Sequence, residues 1–246
     1  MVTAYRLGFL ALLIGAWALS ATQVDSIALP SPWETVLAAG RMVSGGQLGD
    51  ALGESVAVYL GGYGVAIACA IPIGIGMGAF RLLGKTLEIY VFALAATPRV
   101  AFIPLIILVL GLGLEAKVFV VFLGAVMPIL INTYAGMLAS DEELIEMARS
   151  TGAGPRRIFL EIVLPGAVPF ILTGMRIGAT IGLINTVVAE LYTAVSGLGG
   201  LLAIYGNTFR MAEYFVVVLT LAVIGVLVTE TLRLAEQRLG KWRGTG

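Results

Sequence analysis

The sequence predicts an all-α integral membrane protein with about six transmembrane helices. Of its 246 residues 59% are hydrophobic and only 12% are charged, and the mean hydropathy is +1.00. These values lie in the membrane class and outside the range of soluble globular domains. Apolar runs of about 18 to 25 residues, long enough to cross a ~30 Å hydrocarbon core, recur along the chain. We predict one transmembrane domain, 1–246, with spans near 7–24, 55–80, 88–111, 117–138, 166–190 and 213–234.

Composition also excludes several function classes. The chain has no histidine and a single cysteine, Cys69, so it lacks the usual metal ligand, the near-neutral proton carrier and an internal disulfide. Its net charge is zero, so no overall field attracts nucleic acid. We therefore expect no catalytic residue and no metal site.

The first and third predicted spans have features that are unusual for a transmembrane helix. Arg6 followed by LGFLALLIGAWALSA can be an uncleaved first span or a cleaved secretory signal. We favour the span, and either outcome leaves the later topology unchanged. The third span contains Thr97, Pro98, Arg99 and Pro104, which would leave carbonyls unsatisfied and a charge exposed in lipid, so it should face protein or a polar cavity.

Short segments between spans carry turn and helix signals. Ser31 to Glu34, SPWE, matches a capping box with proline at the first helical position, which predicts a short extracytoplasmic helix toward Met42, ended by the following glycines. SGLGG at 196–200 is typical of a turn. LLAIYGNTF after it is too short to span, and we expect a surface-lying or partly re-entrant segment.

Loop charge predicts the orientation. One side of the predicted topology carries ten basic side chains, and the other carries only Arg41, Lys117 and Arg210. The ten are Arg6, Arg81, Lys85, Arg149, Arg156, Arg157, Arg233, Arg238, Lys241 and Arg243. The excess of Lys and Arg places both termini and the 139–165 loop in the cytoplasm.

The polar segment 140–165 holds eight charged residues in a chain that is otherwise apolar. Ser140 and Glu143 have capping-box spacing, which predicts a helix from about Asp141. Leu144, Met147, Ala148 and Thr151 share one face of that helix, and Gly152 can end it in a left-handed conformation. Its acidic first turn is unlike a membrane-surface helix, which favours Lys and Arg, so we expect it to dock in a groove of a soluble protein.

The chain turns back toward the membrane after this helix. Pro155 should start a second helical segment with Arg156 and Arg157 near the membrane surface. Pro165 should mark the point where the chain turns into the fifth span.

These residues carry a family resemblance. Glu146-Met147-Ala148, three residues, Gly152, nine residues and then Ile162-Val163-Leu164-Pro165 resembles the EAA signature of permease subunits of binding-protein-dependent ABC importers. The departure is Met147, where the second residue is often alanine. LPSPWETV at 29–36, PRVAFIPLIILVLGLG at 98–113, PILINTYAGM at 128–137, LPGAVPFILTGMRIG at 164–178 and VVAEL at 187–191 resemble the nitrate/sulfonate/taurine-type branch.

The resemblance, which covers about 30–234, implies a type I ABC importer permease-like fold with a cytoplasmic coupling helix in the bacterial inner membrane. It implies that the ATPase-coupling residues are Glu143, Leu144, Glu146, Met147, Ala148, Ser150, Thr151, Gly152 and Ala153. The implied partners are two cytoplasmic ATPase subunits, a second permease copy in a homodimer and an extracytoplasmic solute-binding protein. ATP and Mg would bind the ATPase, since this sequence contains no Gly-x-x-x-x-Gly-Lys-Ser/Thr loop.

Polar residues inside spans are candidates for the translocation pathway: Arg99, Asn132, Arg176, Asn185 and Glu190. Intramembrane charges cost roughly 2.5 kcal/mol or more at the bilayer centre. Arg99 and Arg176 could therefore line a path for an anion such as a sulfonate, taurine, nitrate or a carboxylate. Alternatively, they form structural ion pairs, for example with Glu190, or reach toward an interface.

Two further interpretations remain. Gly174, Gly178 and Gly182, like Gly74 and Gly78, form small-xxx-small ridges that we assign to helix packing. A stand-alone secondary transporter or channel is the alternative function, and it would work without an ATPase.

Overall fold

The computed structural model describes residues 2–24 and 28–239, and every regular element in that part of the chain is helical. The α-helices are α1 Val2–Gln23, α2 Pro32–Ser44, α3 Gln47–Ala79, α4 Arg81–Ala96, α5 Ile103–Leu110, α6 Leu114–Leu138, α7 Glu142–Ser150, α8 Pro155–Ile158, α9 Leu164–Thr193, α10 Gly197–Asn207 and α11 Met211–Leu239. A 3₁₀ turn, Arg99–Phe102, precedes α5, and a π turn, Phe159–Val163, joins α8 to α9. Lys241 and Arg243, two of the charges used to predict orientation, lie outside the described residues.

The predicted all-α class with about six spans is confirmed. Five helical segments are long and apolar enough to cross a membrane: 4–23, 47–79, 114–138, 155–193 and 211–234. The helices 81–96 and 99–110 meet at a bend of 79° and give a sixth when the pair is counted as one broken span. The bend falls at Thr97 and Pro98, where proline cannot donate a backbone hydrogen bond. The helix of the second span, α3, starts at Gln47, well before the predicted 55, because its first turns carry polar residues that an apolar run does not reveal.

The chain forms two compact units. The first contains Met1–Val56 and Glu190–Ile224, and the second contains Ala57–Ala189 and Gly225–Gly246. In the first unit the predicted α2 is confirmed: the Glu34 N–H donates to Ser31 Oγ at 3.2 Å, and the Ser31 N–H donates to Glu34 Oε2 at 2.8 Å. Gly45 caps its end, and Gly46 follows with φ +76°.

The predicted turn at 196–200 is wrong, since these residues begin a helix. Gly197 to Gly200 are buried in the first turn of α10, and LLAIYGNTF continues that helix to Asn207, so its placement as a surface-lying or partly re-entrant segment stays a prediction. The buried carboxylate of Glu190 accepts from the Gly199 N–H at 2.9 Å and from Ser55 Oγ at 2.8 Å, while Ser55 Oγ accepts from the Leu198 N–H. The carboxylate thus accepts a hydrogen bond from a backbone N–H that has no partner within α10, and its negative charge complements the positive end of the helix dipole. Gly197 has φ +82°, and a Cβ there would collide with that carboxylate.

In the second unit, α3 and α9 both pack against α6 through glycines, as predicted. A Cβ on Gly74 would lie 2.7 Å from Thr133 Cβ, and one on Gly174 would lie 2.7 Å from Asn132 Cβ. Gly78 and Gly178 make comparably close approaches to Met137 and Ile129, whereas a Cβ at Gly182 would meet ordinary contacts at 3.5 Å or more. Small residues thus allow the close approach on which helix association in lipid depends.

The predicted turn at Pro165 is also wrong. The helix runs continuously from Pro155 to Thr193 and passes Pro165 by means of the π turn, in which the Leu164 N–H donates to the Phe159 carbonyl. Pro165 has no N–H for the Glu161 carbonyl, and the wider turn accommodates that gap without breaking the helix.

Candidate functional site

The site begins with the start of α7. Asp141, not Ser140, is the N-cap: its Oδ1 accepts from the Glu143 N–H at 3.0 Å and the Leu144 N–H at 3.3 Å. The predicted Ser140–Glu143 capping box is therefore wrong. The predicted start of the helix, Asp141, is only one residue from the observed start at Glu142. Ser140 Oγ instead donates to the Met137 carbonyl at 3.2 Å at the end of α6. Asp141 is a better N-cap than Ser140 because its carboxylate also complements the positive end of the helix dipole.

Gly152 ends the helix as predicted. Its φ is +86°, a left-handed backbone conformation that residues other than glycine adopt only at an energetic cost. The Gly152 N–H donates to the Arg149 carbonyl at 3.0 Å, and the Ala153 N–H donates to the Ala148 carbonyl at 2.9 Å. These two bonds define a Schellman motif, which fixes the direction in which the chain leaves α7.

No residue of α7 is buried. Leu144 is 44% and Met147 is 60% exposed, so the apolar face lies at the surface of the isolated chain. Glu143, Glu146, Ser150, Thr151 and Gly152 are also exposed, while Ala148 and Ala153 are half-buried. The nine predicted coupling residues thus form one continuous surface segment.

Two cavities flank this segment. The larger, about 660 Å³, lies between α7, the ends of α3 and α6, and the α8–π segment. The smaller, about 400 Å³, is lined by Met147, Ala148, Thr151 and the loop to Arg157 and Glu161. Arg157 and Glu161 form an exposed ion pair at 2.9 Å. Such a pair contributes little to stability.

Sequence reasoning missed the inner face of α7. Glu142, Ile145 and Arg149 line the larger cavity together with Gly152. Their spacing of i, i+3, i+7 puts them on one helical face, and that spacing was the available signal. The apolar pattern indicates only the opposite face, which contains Leu144 and Met147.

Arg99, a predicted pathway residue, is bound by backbone carbonyls. Its half-buried guanidinium donates through Nη1 to the carbonyls of Leu123 and Gly124, both at 3.0 Å. Pro128, four residues after Gly124, has no N–H to donate to that carbonyl. Arg99 therefore supplies a hydrogen bond that the proline removes from α6.

The other predicted pathway residues have different surroundings. Asn132 Nδ2 donates to the Pro128 carbonyl and Asn185 Nδ2 to the Ile181 carbonyl, both at 2.8 Å within their own helices. Arg176 and Glu190 are both residues of α9. Arg176 is half-buried, and Glu190 is fully buried with its carboxylate against the start of α10. The role of all five in transport stays a prediction. Among the described residues there is no group of His, Cys, Asp and Glu that could hold a metal ion.

Comparison with known proteins matches this architecture to one family. The family model described as binding-protein-dependent transport system inner membrane component matches residues 70–241. A probable ABC transporter permease protein of Brucella abortus (strain 2308) is 34% identical over 94% of this chain and 92% of its own length.

Two other relatives have names that include a solute. The putative aliphatic sulfonates transport permease protein SsuC of Escherichia coli (strain K12) is 32% identical over 94% of this chain and 88% of its own. The riboflavin transport system permease protein RibX of Chloroflexus aurantiacus is 34% identical over 88% of this chain and 81% of its own. Similar permeases thus carry names with chemically different solutes.

The fold is similar to that of a solved transporter. A chain from the inward facing MetNI methionine ABC transporter superposes with a TM-score of 0.67 at 20% identity, covering 77% of this chain and 94% of that chain. The predicted type I importer permease fold is confirmed.

Proposed function

The chain belongs to the family of binding-protein-dependent transport system inner membrane components, and we propose that it forms the solute pathway of an ABC importer and that α7 couples this pathway to a cytoplasmic ATPase. The observation that carries the proposal is the exposed apolar face of α7, held in a fixed direction by the Schellman motif at Gly152. A helix with Leu144 and Met147 at its surface and an acidic first turn fits a groove of a protein better than an anionic membrane surface.

The flanking cavities support the same role. The larger cavity separates part of α7 from the ends of α3 and α6, so the helix is not packed flat against the bundle. An ATPase that moved α7 would transmit force through the covalent links at Asp141 and Gly152, and through α8 into α9. Closure of two ATPases on ATP would then rock the bundles toward an outward-open state, and hydrolysis would reset them.

Replacing the most exposed apolar side chain of α7 tests the coupling role. Met147→Asp should abolish co-purification with the cognate ATPase and ATP-driven uptake into proteoliposomes, because a carboxylate would be desolvated in the groove. The isolated permease should keep its thermal unfolding temperature, since the residue is exposed. Met147→Leu is the matched control and should retain both activities. Normal association and uptake by Met147→Asp would reject the proposal.

Family membership supports a set of further partners. We propose a homodimer of permease chains, two ATPases that bind ATP and Mg, and an extracytoplasmic solute-binding protein. Catalysis of ATP hydrolysis belongs to the ATPase, since this sequence has no phosphate-binding loop of the Gly-x-x-x-x-Gly-Lys-Ser/Thr type. Both termini and α7 lie on the cytoplasmic side of the inner membrane.

We propose a small organic or inorganic anion as solute, in the class of sulfonates, taurine, nitrate and carboxylates. The name of the SsuC relative supports a sulfonate, whereas that of the RibX relative favours a flavin. Calorimetric titration of the cognate solute-binding protein with an alkanesulfonate, taurine, nitrate, a carboxylate and riboflavin decides between them. Binding of riboflavin alone, or preference for a cation, would reject the anion class without affecting the coupling role.

The pathway residues belong to the same proposal. Arg99, Asn132 and Asn185 already donate to carbonyls of the second unit. A contact with solute would therefore require them to share or exchange these bonds during the cycle.

A further inference from the structure

One face of α2 is apolar and exposed although the helix lies outside the spans. α2 buries Thr35, Ala38 and Met42 against its own unit. At 100° per residue the opposite side presents Trp33, Val36, Leu37 and Val43, all exposed, with Trp33 at 68%. The charged side chains Glu34 and Arg41 share a third, narrow edge. Such a helix meets three environments: protein, water and an apolar one.

The N-terminus of α2 lies beside the spans. Trp17 Nε1 donates to the Pro30 carbonyl at 2.9 Å, two residues before the helix starts. Trp17 is six residues before the last residue of α1, which is about 9 Å of helix rise inside that end. The Trp17 ring also stacks on Phe215, in the second turn of α11, with centroids 5.6 Å apart. The start of α2 is therefore level with the ends of two apolar spans.

The other end of α2 lies at nearly the same depth. Arg41 Nη2 is 3.6 Å from Glu213 Oε1, and Glu213 is the third residue of α11. The start of a 13-residue helix, about 20 Å long, is thus linked through Trp17 to Phe215, and its end is linked through Arg41 to Glu213, both in the first two turns of α11. A helix of that length cannot run along the membrane normal and meet both contacts, so α2 lies along the membrane surface.

We propose that α2 is embedded in the headgroup region of the leaflet in which α1 ends, with Trp33, Val36, Leu37 and Val43 in contact with lipid. Indole rings favour this boundary because one edge is polar and the rest is apolar. Arg41, at 65% side-chain exposure, lies on the edge that faces water and headgroup phosphates.

The residue types of the face favour lipid over a second copy of the chain. Helix pairs in lipid associate through small residues that permit close approach. This face instead presents a tryptophan, a leucine and two valines around a single glycine, Gly40. The proposal rests on the membrane-spanning fold and is independent of the solute and of ATPase coupling.

Spin labels on single cysteines test the proposal in the assembled transporter in phospholipid nanodiscs. With Cys69 replaced by alanine, labels at Val36→Cys, Leu37→Cys and Val43→Cys should collide several-fold more often with oxygen than with a water-soluble nickel chelate. Arg41→Cys is the control on the same helix and should show the reverse preference. All four positions are exposed, and Glu213 keeps its 2.9 Å ion pair with Arg210 when Arg41 is replaced, so the substitutions should leave folding intact.

Two outcomes would overturn the proposal. Preference for the nickel chelate at 36, 37 and 43 would place this face in water. Low collision with both reagents, together with dipolar broadening between labels, would place it against a second copy. As a second measurement, brominated phospholipids should quench the tryptophan fluorescence of a Trp242→Phe variant, and Trp33→Phe added to it should remove most of that quenching. Quenching that is unchanged by Trp33→Phe would contradict lipid contact of Trp33.

Discussion

Arg99 lies inside the third apolar segment, where an uncompensated charge would cost roughly 2.5 kcal/mol or more. Its two carbonyl partners on α6 show how the cost is reduced, because Gly124 would otherwise have an unsatisfied carbonyl next to Pro128. Sequence alone predicted that this arginine needs a partner and suggested an ion pair as one possibility. It did not identify carbonyls 24 and 25 residues away, although a proline within an apolar span signals a free carbonyl.

A double-mutant cycle tests the link between Arg99 and Pro128. Arg99→Met should lower the free energy of unfolding by about 1–3 kcal/mol, since the Gly124 carbonyl loses its donor. Adding Pro128→Ala restores a backbone N–H for Gly124 and should recover part of that loss, with Pro128→Ala alone as the control. Thermal unfolding in nanodiscs measures each variant. Simple additivity of the two effects would show that the arginine does not compensate for the proline.

At the scale of helices, packing between α3 and α6 depends on which glycines face α6. Gly74→Ala would place a methyl group 2.7 Å from Thr133 Cβ and 3.0 Å from the Leu130 carbonyl. We expect a loss of about 1–3 kcal/mol in unfolding free energy, as for other overpacked cores. Gly64→Ala on the same helix is the matched control, because a Cβ there has no neighbour within 4 Å. Equal unfolding temperatures for the two variants would contradict the packing role.

The bend after α7 gives a second matched pair. Gly152→Ala should cost about 1–2 kcal/mol locally, because the left-handed conformation strains a Cβ even where space is open. Since α7 is at the surface, we expect the fold to persist while ATPase association and uptake fall. Gly154, with φ −71° and open space, is the control, and Gly154→Ala should behave like the parent. If Gly152→Val also left association and transport unchanged, α7 would not be the coupling helix.

The elements that sequence predicted well are those specified by local signals. α2 and α7 have caps, glycines and apolar spacing within a dozen residues, and both begin within one residue of the expected position. The predicted capping box of α7 begins at Ser140, whereas Asp141 is the N-cap, an error of one residue. The wrong predictions at Pro165 and at 196–200 are larger, and both concern proline or glycine residues that usually break a helix. A π turn absorbs Pro165, and the carboxylate of Glu190, which needs tertiary folding, occupies the start of α10.

For the whole molecule, a net charge of zero conceals an asymmetric distribution. In the predicted topology ten basic residues lie in loops and termini on one side and three on the other. This bias predicts that α7 lies in the cytoplasm and that the α2–α3 connection lies outside. The ATPase-coupling role requires that orientation, because ATP is cytoplasmic.

Cysteine labelling on intact cells tests this orientation at two glycines where an added Cβ would have open space around it, Gly49 at the start of α3 and Gly154 after α7. In a Cys69→Ala background, a membrane-impermeant maleimide should label Gly49→Cys directly and Gly154→Cys only after permeabilisation. The permease should be expressed without its ATPase, so that docking does not shield position 154. Labelling of Gly154→Cys in intact cells would place α7 outside. It would then exclude contact with a cytoplasmic ATPase, whatever the solute proves to be.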